Sequence, residues 1–267
     1  MISNKTIVLT GASSGIGYEV LKLLSTEKSN LILAVSRHAE EKLASFADNV
    51  IPFTCDVSSR EGVDSLFEEA NKVFEGRKID LFYANAGFPY YEEFNYTNWE
   101  RILKIFETNT ISPIYTYAKY LHHLDGREGH LAYTVSAIGQ MAMPGYALYS
   151  ATKFALHGFQ QAIRLEMPNS LKLTCLYPVA TDTNFFNVAS PYKFEKPFPV
   201  QQPDVVARKM VAALEKGKKF CSPSPLFALS KVLMGVAPPV RTIYWKLEQE
   251  KLKRFKEEIK KYRDENK

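Results

Sequence analysis

Short apolar, β-branched runs alternate along the chain with longer stretches whose apolar residues recur at helical spacing. Residues 5–10 form the first run and stop at Gly11, after which Tyr18 to Lys28 shows helical periodicity. Further runs occupy Leu31–Val35, Val50–Thr54, Ile79–Tyr83, His130–Val135 and Leu171–Tyr177, with a short one near Phe220-Cys221. Continuous apolar runs of this length read as strands buried on both faces. Helical patterns at 59–75, 99–123, 147–167 and 203–216 lie between them, the second-last ended by Pro168. Such alternation predicts an α/β fold: a three-layer, doubly wound parallel sheet of about seven strands with helices on both faces. No repeat, low-complexity linker or second-domain boundary interrupts it, so residues 1–222 are expected to form one domain.

The pattern breaks after Tyr177-Pro178. Residues 184–200 carry Phe185, Phe186, Tyr192, Phe194 and Phe198, punctuated by Pro191, Pro197 and Pro199. Ligands of open parallel sheets bind outside the carboxyl ends of the strands, which is where this insert falls. It is expected to face the substrate. Residues 223–267 read as a helical extension packed on the domain or on a partner. Its apolar stretch, Leu226 to Val236, is far short of the roughly 20 residues of a membrane span. A membrane-surface helix over 226–263 stands as the less favoured alternative.

Composition changes this picture little. Hydrophobic content of 46% and charged content of 24% exclude a disordered chain. The formal charge is +5, of which +3 lies between Lys246 and Lys267, where nine Lys/Arg face six Asp/Glu. A nearly neutral body argues against nucleic acid as a partner. Cys55, Cys175 and Cys221 have no metal-like spacing and read as free thiols of a reducing compartment. No metal is expected. Met1-Ile2-Ser3-Asn4 leads straight into a strand without a signal peptide, so the expected location is cytoplasmic.

The candidate chemistry centres on Tyr149 and Lys153, four residues apart on one helical face. The glycine turn Gly11-Ala-Ser-Ser-Gly15-Ile-Gly17 sits between a strand and a helix, the context in which glycines let a backbone approach a pyrophosphate. About twenty residues further on, where NAD-binding chains place an acid, stand Ser36 and Arg37. A guanidinium pairs with a 2′-phosphate that a carboxylate would repel, which favours NADP(H) over NAD(H).

Taken together, these residues resemble the short-chain dehydrogenase/reductase family over roughly residues 5–222. Thr10-Gly11-Ala12-Ser13-Ser14-Gly15-Ile16-Gly17 matches its cofactor turn, Asp56-Val57 its adenine contact and Asn85-Ala86-Gly87 its central-strand motif. Asn109, and Ser136 thirteen residues before Tyr149, fall at the expected places. The resemblance implies a Rossmann-type domain with Asn109, Ser136, Tyr149 and Lys153 as the catalytic set. Tyr149 would be the general acid, assisted by Ser136, while Lys153 and the oxidised nicotinamide lower its pKa. Asn109 would fix a helix kink and a water.

Two departures stand out. Many NADP-dependent members carry a base where this chain has Ser14, and Pro178-Val179 replaces the family's Pro-Gly. Backbone contacts to the nicotinamide amide would then come from Val179 or Thr181, with Thr183 matching the family's threonine. The implied activity is NADP(H)-dependent hydride transfer with a carbonyl or secondary alcohol, in the direction of reducing a fairly apolar ketone. A non-catalytic NADP-binding regulator is the competing reading. Family members associate through the helices that here read as 99–123 and 147–167; the long tail favours a dimer over a tetramer.

Overall fold

The computed structural model describes residues 2–265. Seven strands form one parallel sheet: β1 (Thr6–Thr10), β2 (Leu31–Ser36), β3 (Val50–Thr54), β4 (Leu81–Ala84), β5 (Gly129–Thr134), β6 (Leu171–Leu176) and β9 (Phe220–Cys221). Their order is β3-β2-β1-β4-β5-β6-β9, so the winding direction reverses between β1 and β4. Strands β7 (Ala180–Thr181) and β8 (Val200–Gln201) pair separately and bracket the aromatic insert.

Both faces of the sheet are covered. Along β1, Ile7 and Leu9 point to one layer and Val8 to the other, and every residue of the strand is buried. The first layer holds α1 (Gly15–Ser25), α2 (Ala39–Leu43) and α8 (Pro203–Glu215), which contribute Val20, Leu21, Leu43 and Met210. The second holds α3 (Arg60–Val73), α5 (Ser112–Leu124) and α6 (Ala147–Ile163), which contribute Phe67, Tyr120 and Leu156. A β-branched, two-sided apolar strand can be satisfied only in this way.

Local chemistry sets several boundaries. Ser59 caps α3 by accepting from the Gly62 amide at 3.0 Å, and Asn98 caps α4 (Trp99–Phe106) by accepting from Arg101 at 2.8 Å. The helix expected over 99–123 is interrupted: one π-helical turn, Glu107–Ile111, separates α4 from α5. Pro113 has no amide hydrogen for an α-type bond to Asn109, and Ser112 donates instead to the Glu107 carbonyl. Helix α1 begins at Gly15, three residues before the periodic pattern does, because its first turn is the glycine turn itself.

After β6 come α7 (Phe185–Ala189) inside the insert, then α9 (Pro225–Val236) and α10 (Pro238–Glu265). A third cluster forms here, in which Tyr91, Met143 and Tyr146 meet Ala189 from α7 and Phe255 from α10. The tail is thus packed on its own body. Trp245 donates to the Ala142 carbonyl at 2.8 Å, Arg254 pairs with Glu195 at 2.8 Å, and Lys256 pairs with Glu93. No single helix among the described residues is long and apolar enough to cross a membrane.

Candidate active site

The carboxyl ends of β1, β4, β5 and β6 open onto one cleft of about 260 Å³ at the point where the strand order reverses. Its first half is made of turns. Gly11 and Gly15 have φ of +68° and +57°, a conformation that L side chains rarely adopt. A side chain at Gly17 would begin 2.2 Å from the Gly11 carbonyl oxygen, so only glycine fits. The turn is braced from behind: Asn85 donates to the carbonyls of Thr10 (3.2 Å) and Gly11 (3.3 Å), and accepts from Thr134 at 2.8 Å.

Of the sequence-predicted residues, Gly11, Ser14, Gly15, Ile16, Arg37, Asn85, Ala86 and Gly87 line this half. Arg37 is exposed at its edge, and Ser14 precedes α1 without making a side-chain cap bond. Ser13, Gly17, Ser36, Asp56 and Val57 are not part of the lining. Ser36 accepts from the His38 amide at 3.3 Å, and Asp56 accepts from Ser58 at 3.0 Å. Burial works to raise the Asp56 pKa. The Ser58 hydrogen bonds and the charges of Arg37 and Lys104 outweigh it and bring the pKa below the ordinary value.

Ser136, Tyr149 and Lys153 converge in the middle of the cleft. Ser136 follows β5 at φ +119°, ψ 150°, a strained region for any residue with a side chain. It is held there because Ala137 donates to the Pro178 carbonyl at 2.9 Å while the Ser136 hydroxyl accepts from Ile138 at 3.2 Å. Tyr149 and Lys153 lie in the first turns of α6 and are both buried. Burial pushes the Tyr149 phenol up from its ordinary pKa, and its hydrogen bond with Ser136 works against that. Burial pulls the Lys153 amine down to about 7. Its Nζ donates to the Thr134 carbonyl at 3.0 Å and lies 5.7 Å from the centre of the Tyr149 ring.

Lys153 Nζ and the Tyr149 ring are neighbours on α6. The amine sits over the ring, and its own charge is weakened by burial. Asn109 lies within the π-helical turn and behind the cleft. Its side chain accepts from the Phe88 amide at 3.0 Å and donates to the Phe88 carbonyl and to Thr152 at 2.9 and 3.2 Å.

Pro178, Val179, Thr181 and Thr183 close the cleft from the β6 side. Val179 is absent from the residues with positive φ, so its backbone makes no demand for the family's glycine. Thr183 lies against Gly15, where an added Cβ would meet it at 3.3 Å.

The second half is apolar, and most of it escaped the sequence reading. Phe185, Phe186 and Phe198 come from the predicted insert, but Phe88, Met141, Met143, Tyr146, Phe227 and Tyr244 complete the wall. A signal existed for Phe88, which directly follows Gly87. For Phe227 and Tyr244 there was none, since each reaches the cleft through the tail.

A family model for the short chain dehydrogenase matches residues 5–192. The chain belongs to this family. It is therefore a short-chain dehydrogenase/reductase, an oxidoreductase. Similar proteins include 17-beta-hydroxysteroid dehydrogenase 13 of Rattus norvegicus, 29% identical over 82% of this chain and 74% of its own. Estradiol 17-beta-dehydrogenase 11 of Macaca fascicularis is 29% identical over 89% of this chain and 80% of its own. Among solved structures, the alcohol dehydrogenase of Thermococcus sibiricus complexed with 5-hydroxy-NADP superposes with a TM-score of 0.69 at 25% identity, over 82% and 95% of the two chains. The 3-ketoacyl-(acyl-carrier-protein) reductase of Brucella melitensis complexed with NADH, 22% identical, gives a TM-score of 0.72 over 82% and 96% and shares the fold.

Proposed function

We propose that this short-chain dehydrogenase/reductase binds NADP(H) in preference to NAD(H) and reduces a fairly apolar ketone. The observation that carries the reading is the continuity of the cleft: one space joins the glycine turn and Arg37, through Ser136, Tyr149 and Lys153, to an aromatic wall. The residues present fit a dinucleotide. Gly11 and Gly15 give a backbone surface at the N-terminus of α1, Gly17 lets the turn close behind them, and Arg37 offers a guanidinium for a 2′-phosphate. Solved relatives complexed with 5-hydroxy-NADP and NADPH agree with a nicotinamide cofactor.

When bound, the nicotinamide supplies the hydride. The protein supplies the proton and the hydrogen bonds to the developing oxyanion. Burial keeps the Tyr149 phenol protonated, the form a general acid needs, and Ser136 beside it can donate to the same substrate oxygen. Lys153 is placed to stabilise the phenolate left behind.

Steady-state kinetics over a panel of ketones with NADPH and NADH test the reading. Preference for NADPH, lost in Arg37→Asp, is expected; equal or better use of NADH would overturn it. We also infer a homodimer through the helical stretch of residues 99–123 and α6, where Trp99, Leu103, Ile111 and Phe154 are exposed. Light scattering after size exclusion checks the mass.

A membrane-surface reading is favoured by one observation. Leu226, Leu229, Leu233 and Val236 form an exposed stripe along α9 beside the mouth of the cleft. Flotation with anionic and neutral liposomes distinguishes it from a cytoplasmic enzyme.

A further inference from the structure

A line of hydrogen bonds runs from the sheet core to the back of the glycine turn. Its root is Tyr83 on β4, which is wholly buried. The register sets Tyr83 opposite Ala132, and Thr134, two residues further along β5, falls on the same face. The small Ala132 side chain leaves room for the ring, and the Tyr83 hydroxyl meets Thr134 Oγ1 at 2.7 Å. Thr134 Oγ1 donates in turn to Asn85 Oδ1 at 2.8 Å, and Asn85 Nδ2 donates to the carbonyls of Thr10 and Gly11 at 3.2 and 3.3 Å. The amide lies tight against the turn: a Cβ at Gly11 would come 2.9 Å from its nitrogen, and one at Gly17 2.5 Å.

The direction of each hydrogen is fixed. The two carbonyls require a donor, so the amide nitrogen faces the turn and the amide oxygen faces Thr134. A hydroxyl has one hydrogen, and Thr134 gives it to Asn85; Tyr83 must therefore donate to Thr134. Burial raises the Tyr83 pKa more than the Thr134 bond lowers it, so the phenol keeps that hydrogen. A phenylalanine in its place would leave the Thr134 hydroxyl free to turn away, and the amide held from the turn side only. Tyr133, one residue before Thr134, is as deeply buried, but it points to the opposite layer and its hydroxyl donates to the Pro113 carbonyl at 2.9 Å.

We propose that Tyr83 is a positioning residue for the cofactor. Acting through Thr134 and Asn85, its hydroxyl holds the Gly11 carbonyl, and with it the glycine turn, in the shape that receives a dinucleotide. Tyr83 itself lies behind the cleft and outside its lining. This inference rests on the dinucleotide-binding reading of the cleft.

The test measures Kd for NADPH and for NADH by isothermal titration, beside the melting temperature, in wild type, Tyr83→Phe, Tyr133→Phe, Thr134→Val and the Tyr83→Phe/Thr134→Val double variant. Tyr83→Phe and Tyr133→Phe each delete one buried hydrogen bond and should melt at similarly lowered temperatures. Only Tyr83→Phe should weaken binding of the cofactor, by about fivefold, within the worth of one neutral hydrogen bond. In the Thr134→Val background, Tyr83→Phe should add nothing to Kd, because the link it acts through is already broken. An unchanged Kd in Tyr83→Phe overturns the proposal, as does an equal loss in Tyr133→Phe, which would mark a general effect of stability. Independent, multiplying losses in the double variant overturn the route through Thr134. If Thr134→Val does not fold, the contrast between the two tyrosine variants still decides. Wild type that binds neither cofactor overturns the dinucleotide reading, and this inference with it.

Discussion

The half of the cleft around Gly11 is built from strand ends tied by directed hydrogen bonds; the half beyond Tyr149 is built from rings. In the first, Asn85 links the turn after β1 to β4 and, through Thr134, to β5. In the second, Tyr91 stacks on Phe194 with ring centres 4.1 Å apart and lies 4.9 Å from Phe255. Hydrogen-bonded turns need particular residues at fixed offsets, whereas aromatic packing needs shape and volume. One half is therefore constrained to a narrow set of residues. The other can change its lining without disturbing the first.

The substitution with the largest expected effect tests the junction between them. Tyr149→Phe should bind NADPH as wild type does yet lose at least about a hundredfold in kcat, the lower end of general-acid contributions. Stopped-flow NADPH fluorescence and steady-state rates check the two readouts separately. Retained turnover would remove the acid from Tyr149.

Phe255→Ala acts on the ring-built half alone. Deleting a buried phenyl costs about 3–5 kcal/mol, and Phe255 is 4% exposed between Tyr91 and Phe194. Protease sensitivity of the tail and KM for apolar ketones should rise, with the Kd for NADPH unchanged by isothermal titration. A parallel loss of NADPH affinity would show the two halves to be one unit. The exposed Arg254–Glu195 pair beside it should matter far less, since such pairs contribute little in water.

Ser136 gives a finer test. At φ +119° a glycine is relaxed where a serine or alanine is strained. Ser136→Gly should therefore be more stable than Ser136→Ala by about 1–2 kcal/mol in urea melts, after the glycine's extra unfolded-state entropy is subtracted. Both should lose activity. Equal stabilities would mean that the loop relaxes once the hydroxyl is gone.

The most gradual effect is a pH slope. The Lys153 amine titrates at about 7 in the folded chain against 10.5 for an ordinary lysine. Between those values the unfolded chain binds more protons, so this group makes stability rise with pH across the window. The slope is at most about 1.4 kcal/mol per pH unit. Lys153→Met should lack that component, and the gap between wild type and variant should close as pH climbs from 7 toward 9. A gap that stays constant would place the amine in a wetter site than its burial implies.

What could be read from the sequence follows the same division. Strand ends, the glycine turn, Arg37 and the Tyr149/Lys153 spacing are local patterns, and the sheet order puts them together at one edge. Pro113 was also visible, but the π-helical turn it accompanies needed the Asn109–Phe88 bonds to be understood. The ring-built half was legible only as an aromatic insert. Tyr91 fits beneath Gly145 so closely that an added Cβ would lie 2.3 Å from its ring, and neither residue hints at the other in sequence. Phe255 arrives from still further along the chain. Contacts of this kind have no period.

Helix α10 has a bearing on how the enzyme comes into being. Protein is made from its amino terminus, and earlier segments can fold while later ones are still being added. All seven sheet strands and the glycine turn precede Pro238, so the hydrogen-bonded half of the cleft can be complete while Tyr91, Tyr146 and Phe194 still await their cover. Until Phe255 docks, the glycine turn stands beside an uncovered, sticky aromatic floor. A chaperone or a dinucleotide arriving in that interval would meet two very different surfaces on one molecule.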